Sequence, residues 1–264
     1  MKKIINEIEK YFEIYKRDGV VKIPSVFNAQ RIKELRAGFY EGLINSHKIS
    51  KYYKYNNIEY SYSDGIKYPA LLFWPCFVSP IIDSFSKSQE MQFIVSKFLS
   101  RNVKQLNNQC YFRLPGDMDE FAFHQDIMFR YPLDQYPSIV EDDGYLQTAI
   151  FVDKQTIENS PIIFALGSHK LGDVKLHSVD NLEKFRKFKQ EKYLSDRFKL
   201  KTFSINPGDM LLWSSLTIHG SKKNKSESSR MYLMNGFARS KNCHPYPDYM
   251  INGKLVEIDS SRII

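Results

Sequence analysis

The apolar pattern of this chain changes in kind along its length, and that change restricts the folds it can adopt. Apolar residues recur at helical spacing in residues 2–16, again after Asn28, and again in residues 80–100. From Gln109 onward the apolar runs are short and are separated by proline, glycine and aspartate, as in strands joined by turns. The sequence therefore predicts a helical first part followed by a mainly β second part.

Local signals place the first elements. The helix predicted in residues 2–16 ends before Gly19, and the β-branched run Val20–Ile23, stopped by a proline, predicts a short strand. Asn28 is a favourable N-cap for a second helix. Residues 51–68 hold six tyrosines with no clean period. We interpret them either as a long aromatic loop or lid, or as an irregular packed surface segment.

Length and composition exclude several classes of protein. The 264 residues contain no internal repeat and no Pro/Gly/Ser-rich linker, so we expect a single domain over residues 1–264. The longest apolar run, Leu71–Val78, is far shorter than the roughly 20 residues of a membrane span. Glu7 and Glu9 lie where a signal peptide would be apolar. We therefore expect a cytoplasmic protein without a membrane partner.

Charge and cysteine content narrow the field further. The net charge of +8 is scattered along the chain and no nucleic-acid-reading motif accompanies it, so no nucleic-acid partner is expected. The cysteines lack CxxC spacing and are expected to be reduced thiols outside any zinc site, namely Cys76, Cys110 and Cys243. The oligomeric state stays open.

The segment Phe121–Phe129 contains the first candidate metal ligands. Its aromatic content predicts a strand, in which residues two apart project from the same face. His124 and Asp126 would then point together, and Arg130 would share their face. The opposite face would carry three residues that pack between sheets, Phe121, Phe123 and Phe129. An imidazole beside a carboxylate supplies two of the three ligands of a facial metal site.

A second group of candidates lies in the C-terminal third. Asn206–Asp209 marks a turn, and the apolar run from Met210 predicts a strand that ends at His219. A polar loop separates it from a second predicted strand, Arg230–Ala238. If these strands were antiparallel neighbours, His219 and Arg230 would lie close together, and the guanidinium could anchor a carboxylate beside a metal held by the imidazole.

These residues lie in strings that carry a resemblance: FHQD, NSPIIFALGSHKLGD, PGDMLLWSSLTIHGSKKNKSESSRMYLMNGFA and, near the N-terminus, RDGVVKIPSVFNAQRIKELR. From about residue 15 to 240 the chain resembles the phytanoyl-CoA dioxygenase-like family of iron(II)- and 2-oxoglutarate-dependent oxygenases. The resemblance implies a mainly β fold with flanking helices, a double-stranded β-helix (a jelly-roll, cupin-like barrel) with N-terminal helices packed on one sheet. The core barrel would span about residues 105–240, supported by the helical residues 1–104.

The resemblance also implies roles for single residues. The iron ligands would be His124, Asp126 and His219. Arg230 would bind the distal carboxylate of 2-oxoglutarate, and Ser221 would donate its hydroxyl to the same group. The implied cofactors are Fe(2+), 2-oxoglutarate as co-substrate and O2. The implied reaction hydroxylates an aliphatic C–H bond of a small molecule and releases succinate and CO2.

Three positions depart from the family pattern. Asn159-Ser160 stands where Asn-Gly is usual, and Leu166 precedes a Gly-Ser-His turn that usually begins with proline. Arg113 stands where an upstream lysine is often found, which makes it a further candidate for the co-substrate site. Because Asp126 is a carboxylate and not glycine or alanine, the resemblance favours a hydroxylase over a halogenase.

Candidate substrate contacts are chosen by the strand face that they share with the metal ligands and by their position along the strand. Arg130 could hold an anionic substrate, or form an ordinary surface salt bridge. Arg239, at the end of the last strand, is a similar candidate. Trp213 shares the parity of His219 and is either a substrate contact or part of the barrel core. Two other functions stay open: a catalytically silent or regulatory ligand-binding protein on the same barrel, and a cupin-like enzyme that uses another metal without a keto acid.

Overall fold

The computed structural model describes residues 2–48, 58–63, 66–117, 120–130, 139–140, 144–174, 190–239 and 246–257. The main α-helices in these ranges are α1 (Lys2–Asp18), α2 (Ala29–Asn45), α3 (Pro80–Ser86), α4 (Gln89–Phe98) and α5 (Glu191–Ser195). The strands are β1 (Val20–Ile23), β2 (Ile58–Ser63), β3 (Ile66–Phe73), β4 (Val103–Arg113), β5 (Phe121–His124), β6 (Leu146–Phe151), β7 (Ile162–Ala165), β8 (Leu200–Lys201), β9 (Met210–Ser214), β10 (His219–Ser221), β11 (Arg230–Arg239), β12 (Asp248–Ile251) and β13 (Lys254–Leu255). Short 3-10 helices cover Ser46–Lys48, Pro75–Phe77, Asp126–Arg130 and Ser168–Leu171.

The strands form two antiparallel sheets. The larger sheet runs in the order β1-β9-β6-β11-β4-β12-β13, and β3 pairs with both β2 and β4. The smaller sheet runs β5-β10-β7-β8. Apolar and aromatic side chains from both sheets, Phe164 and Trp213 among them, share one buried cluster, so the inner faces pack on each other. This confirms the predicted jelly-roll fold, and within the described residues the two sheets stay open and do not close into a complete barrel.

Strands of the larger sheet are buried on both faces because helices cover the outer one. Along β11, Met231 and Leu233 belong to the cluster shared with the helices, whereas Tyr232 and Met234 face the smaller sheet. Phe39 of α2 is fully buried in the helix-facing cluster. The prediction that the helices pack on one sheet is therefore confirmed.

The N-terminal elements follow the local sequence signals. Helix α1 ends where Gly19 takes a φ of +76°, which glycine adopts without strain. Asn28 is the N-cap of α2, since its Oδ1 accepts a hydrogen bond of 2.9 Å from the Arg31 amide. Strand β1 pairs with β9 and so belongs to the larger sheet, although it precedes the core barrel predicted over about residues 105–240. No helix in the described ranges combines the length and apolar character needed to cross a membrane.

Three of the sequence predictions need correction. Residues 58–63 and 66–68 lie in strands β2 and β3 and not in a loop, while residues 51–57 lie outside the described part of the chain. The run from Met210 is not one strand, because β9 ends at Ser214 and β10, in the other sheet, begins at His219. Strands β10 and β11 therefore do not pair with each other in a hairpin. The register shows instead that Arg230 pairs with Arg113.

The third correction concerns the predicted strand over residues 121–129. Strand β5 ends at His124, and a 3-10 helix begins at Asp126. The side chain of the intervening Gln125 is buried and holds this turn, donating to the carbonyls of Leu216 (2.6 Å) and Gly172 (2.8 Å). The expected packing of phenylalanines also fails in part. Phe123 is buried, but Phe121 and Phe129 are 39% and 58% exposed and border a cavity.

Candidate metal centre and adjoining cavity

Two strands of the smaller sheet bring the candidate histidines together. His219 in β10 and His124 in β5 are direct partners in the antiparallel register, and their ring centroids are 4.4 Å apart. Asp126 reaches the same point from the first residue of the 3-10 helix. The ligand atoms of the three residues all lie within 4.8 Å of one another. Convergence thus comes from strand pairing plus a turn, and not from alternation along one strand.

The free atoms of this cluster face one another. The Nε2 atoms of His124 and His219 lie 3.5 Å and 3.6 Å from the same Asp126 oxygen, Oδ1. Each Nδ1 lies within hydrogen-bond distance of a backbone carbonyl two residues earlier, Ala122 at 2.8 Å and Thr217 at 2.9 Å. An Nδ1–H that donates to a carbonyl leaves the Nε2 lone pair available to a metal.

The second carboxylate oxygen of Asp126 is fixed by an indole. Trp213 Nε1 donates a buried hydrogen bond of 2.8 Å to Asp126 Oδ2. Oδ1 is therefore left to point at the two imidazoles. The alternation of side chains predicted that Trp213 shares the inner face with His219. Its hydrogen bond to Asp126 also depends on the turn at Gln125, which the local sequence does not indicate. Trp213 lines the cavity described below and also belongs to the core between the sheets.

The electrostatics of the cluster match the protonation states a metal requires. Burial lowers the pKa of His219 to about 4, with partial compensation from Asp126, so this imidazole is neutral at pH 7. Burial alone would raise the pKa of Asp126, but attraction by His219 and hydrogen bonds from His124 and Trp213 outweigh it, and the pKa lies at about 2. A neutral imidazole and an ionised carboxylate are the ligand forms of these groups.

A pair of buried arginines lies at one end of the inner face. Arg113 and Arg230 are partners on β4 and β11, and each is about 1% exposed. Arg113 Nη1 forms a buried ion pair of 2.8 Å with Asp117, a residue that the sequence did not single out. Asp117 lies just after the strand, so only the fold reveals that it pairs with Arg113.

Arg230 lacks such a carboxylate. Its Nη1 is 3.5 Å from Gln155 Oε1, its guanidinium lies 5.1 Å from the Tyr232 ring centroid, and its buried Nε has no hydrogen-bond partner. No acidic side chain in the described ranges forms an ion pair with it. Burial lowers the pKa of Arg230 to about 10; Tyr232 opposes this shift and Arg113 adds to it. The guanidinium remains charged at pH 7, and a buried unpaired charge is costly until an anion reaches it.

A cavity of about 340 Å³ opens beside the three candidate ligands. Its polar lining consists of His124, Asp126, His219, Ser221, Arg130, Asn107, Gln109, Gln147, Tyr111, Tyr145 and Tyr232. Its apolar lining consists of Leu71, Phe73, Phe121, Phe129, Ile162, Trp213 and Met234, with Gly220 between them. Neither Arg230 nor Arg113 is among the lining residues, but Tyr232, which lines the cavity, lies 5.1 Å from the Arg230 guanidinium, measured to the ring centroid.

The other predicted site residues are placed as follows. Arg130 lines the cavity. It was predicted to share a face with His124 and Asp126 in one continuous strand, but it lies in the 3-10 helix that follows β5. Arg239 is not among the lining residues, and its Nε donates to the Leu99 carbonyl at 3.4 Å. His169 is also apart from the cluster, with Nε2 3.1 Å from the Lys16 carbonyl oxygen. Ser160, the departure from Asn-Gly, has a φ of +63° and donates to the Lys222 carbonyl and accepts from Arg113 Nη2.

Comparison with known proteins places this arrangement in context. The family model "Phytanoyl-CoA dioxygenase (PhyH)" matches residues 15–232. A relative from Stutzerimonas stutzeri, a "probable alpha-ketoglutarate-dependent hypophosphite dioxygenase", is 25% identical over 258 residues, which cover 91% of this chain and 84% of the relative.

Similar solved structures agree on the fold. The non-heme alpha-ketoglutarate-dependent epimerase SnoN from nogalamycin biosynthesis has a TM-score of 0.67 at 14% identity, over 95% of this chain and 88% of that one. EctD from S. alaskensis, solved with 2-oxoglutarate and 5-hydroxyectoine, has a TM-score of 0.68 at 16% identity, over 88% of this chain and 76% of that one.

Proposed function

This chain belongs to the phytanoyl-CoA dioxygenase family, and from that premise we propose that it uses iron(II), 2-oxoglutarate and dioxygen to hydroxylate an aliphatic C–H bond of a small molecule. The observation that carries the proposal is the convergence of His124 Nε2, His219 Nε2 and Asp126 Oδ1 beside a cavity. The overall reaction would convert R–H, O2 and 2-oxoglutarate into R–OH, succinate and CO2.

The donor set fits iron(II). Two imidazole nitrogens and one carboxylate oxygen on one side of an ion leave its remaining positions open, as non-heme iron oxygenases require. Each ligand is held from behind by a backbone carbonyl or by the Trp213 indole, which supports a preorganised site. When bound there, iron(II) with the keto acid and dioxygen supplies the oxidising power for cleavage of the substrate C–H bond.

The arginine pair supports a site for the keto acid. We propose that Arg230 binds the distal carboxylate of 2-oxoglutarate, that Ser221 donates its hydroxyl to the same group, and that Arg113 assists. Because Asp117 already neutralises Arg113, the pair carries one net positive charge toward the cavity, provided by Arg230. A carboxylate there would pair with the buried guanidinium and remove its desolvation cost.

The surroundings of the cluster define what the chain itself contributes. Trp213 keeps Oδ2 of Asp126 occupied, so that only Oδ1 is offered to the metal. The buried, neutral His219 presents its Nε2 without having to lose a proton first. Phe121 and Phe129 place apolar surface at the edge of the cavity, which supports exclusion of water around the reacting C–H bond.

We further propose that residues 1–264 act as one unit, with a core barrel in about residues 105–240. Strand β1 precedes that range and pairs with β9, which carries Trp213. The helical support therefore connects directly to a residue that holds a metal ligand.

Anaerobic titration tests the proposal. Iron(II) and 2-oxoglutarate together should give the weak visible absorption band of an iron-bound keto acid. The Arg230→Gln variant should need about tenfold to a hundredfold more 2-oxoglutarate for the same band, as expected for the loss of a charge-assisted hydrogen bond. Arg197→Gln, which removes an exposed arginine outside the cavity, serves as the matched control. Absence of the band in folded wild-type protein would refute the proposal.

Oxygen-18 labelling separates hydroxylation from the other outcomes seen among similar structures, such as epimerisation. In a hydroxylation under labelled dioxygen, one labelled atom enters succinate and the other enters the product. A product that forms together with labelled succinate but contains no labelled oxygen would show an oxygenase of a different reaction type.

A further inference from the structure

We propose that the cavity holds a second anion site, formed by Arg130 between Tyr145 and Tyr246. The substrate is a small aliphatic anion whose acid group binds Arg130. A hydrogen-bond donor elsewhere on the same molecule binds the amide pair of Asn107 and Gln147. This inference rests on the proposed function, because it names the substrate class of the same cavity. The acid group is a carboxylate or a phosphorus oxyanion, because a guanidinium recognises both through the same paired hydrogen bonds.

Arg130 is held in place without being neutralised. Its guanidinium lies 5.3 Å from the ring centroids of both Tyr145 and Tyr246, and Nη1 donates to the Tyr246 hydroxyl at 3.0 Å. Its buried Nε has no hydrogen-bond partner among the residues that the structure describes. Among the described residues no carboxylate pairs with Arg130, in contrast to Arg113, which has Asp117. The ordinary surface salt bridge that the sequence left open is therefore absent from the described part of the chain.

Arg130 is also far from the co-substrate arginines. Tyr145 immediately precedes Leu146, whose strand partner on β11 is Phe237. Arg230 begins the same strand, seven residues earlier, which corresponds to about 23 Å at the usual rise per residue. Arg130 lines the cavity whereas Arg230 does not, so a keto acid held by Arg230 leaves Arg130 available to a second anion.

A polar cradle lies beside this second site. Asn107 and Gln147 flank Gly236 on the neighbouring strands, and Asn107 Nδ2 donates to Gln147 Oε1 at 3.4 Å across it. A Cβ at Gly236 would come within 2.7 Å of Asn107 Nδ2 and 2.9 Å of Gln147 Oε1, so the amide pair occupies space that a larger residue would take.

The side-chain oxygen of Asn107 can accept a hydrogen bond from a ligand. Its side-chain oxygen is buried and has no hydrogen-bond partner in the described ranges, although the residue lines the cavity. An unmet buried acceptor is costly, and a hydroxyl or ammonium group on the ligand would satisfy it once the amide turns toward the cavity. The apolar Leu71 and Met234 on the same lining suit the aliphatic part of such a molecule.

Calorimetric titration of the anaerobic protein, loaded with iron(II) and saturating 2-oxoglutarate, tests the site. The probes are butyrate, 4-hydroxybutyrate, 4-aminobutyrate and butyramide, with propylphosphonate as the aliphatic phosphorus oxyanion. We expect at least one class of anion to bind, and butyramide to bind at least tenfold more weakly than butyrate if carboxylates are the class. Arg130→Gln should weaken anion binding about tenfold to a hundredfold, and Arg130→Lys should weaken it less. Asn107→Leu should remove the preference for 4-hydroxybutyrate over butyrate.

Arg197→Gln is the matched control, since Arg197 also stacks on a tyrosine, at 3.6 Å from the Tyr193 ring centroid, but is exposed outside the cavity. Its anion affinities should equal those of the wild type. The inference is overturned if no anion in the panel binds at 10 mM (roughly the weakest affinity of interest), or if Arg130→Gln and Arg130→Lys both bind anions like the wild type. Saturation by 2-oxoglutarate, recorded first on the same sample, shows whether the proposed function stands independently.

Discussion

The two faces of the larger sheet are made by alternate residues of the same strands, and two adjacent asparagines on β4 show how differently their polar side chains are bonded. Asn108 on β4 faces the helices, where its Nδ2 donates to Asn235 at 2.7 Å and Ser86 at 2.9 Å, and its Oδ1 accepts from the Cys76 amide at 3.0 Å. Its neighbour Asn107 faces the cavity, and its Oδ1 has no partner.

This contrast between adjacent asparagines separates stability from chemistry. On the helix face, Asn108 and Asn235 bond to each other and to segments that pack on the sheet, although Gln105 Oε1 and Asn235 Nδ2 keep no hydrogen-bond partner within the described ranges. On the cavity face, charged and amide groups keep unmet capacity: Arg230 and Arg130 lack carboxylate partners within the described ranges. A substitution on one face should therefore change the free energy of unfolding, and one on the other should change ligand binding.

The largest expected effect is the loss of a metal ligand on the cavity side. Asp126→Ala removes the only carboxylate of the cluster and leaves two imidazoles, so iron(II) binding and 2-oxoglutarate turnover should fall below detection. Near-ultraviolet circular dichroism should show that the fold is retained. Turnover at the wild-type level in this variant would contradict the assignment of Asp126 as a ligand. It would also contradict the inference that the cavity face determines ligand binding.

On the helix face the largest effect should be on stability. Phe39 of α2 is fully buried and its ring lies edge-on to Phe112 of β4, with centroids 5.4 Å apart. Phe39→Ala should lower the free energy of unfolding by about 3–5 kcal/mol, because it opens a cavity between helix and sheet. Urea unfolding measures this loss. At temperatures where the variant is folded, its affinities for iron(II) and 2-oxoglutarate should match those of the wild type, and a parallel loss of affinity would break the comparison.

The two asparagines give the sharpest version of the same test. Asn108→Ala deletes three hydrogen bonds and leaves the buried Cys76 amide without a partner, which should cost about 2–3 kcal/mol of unfolding free energy. Asn107→Ala deletes one long hydrogen bond and should cost less than about 1 kcal/mol. Both values come from the same urea experiment. Equal losses would show that the cavity face is as essential to stability as the helix face.

The elements that sequence predicted well are those with local causes. Helix α1, strand β1 and the Asn28 cap follow from spacing, β-branching and a single side-chain hydrogen bond. The family-derived ligands also lie together, because the motif encodes a fold already known to unite such residues. The jelly-roll fold was likewise confirmed.

The features that sequence missed depend on distant contacts. The turn at Gln125 is held by carbonyls 47 and 91 positions away, so the alternation of side chains around it predicts a continuous strand. The separation of β9 from β10 likewise reflects pairing with different sheets. Apolar spacing reports which residues are buried, and it does not report where a buried chain changes direction.

Trp213 lies where the comparison is least clear-cut, because its ring packs in the core between the sheets while its Nε1 holds Asp126. Trp213→Phe keeps most of the packing and deletes the hydrogen bond, so iron(II) affinity should fall about tenfold, at the low end for residues that orient a metal ligand.

The pKa of Asp126, about 2 in the wild type, should rise without the indole donor. Metal binding needs an ionised Asp126 and neutral imidazoles, so protons compete with iron(II) for these ligands as the pH falls. Because the variant binds iron(II) more weakly, its iron release on acidification should begin at a higher pH, and titration of bound iron against pH measures the difference. An unchanged release curve would assign Trp213 to packing alone.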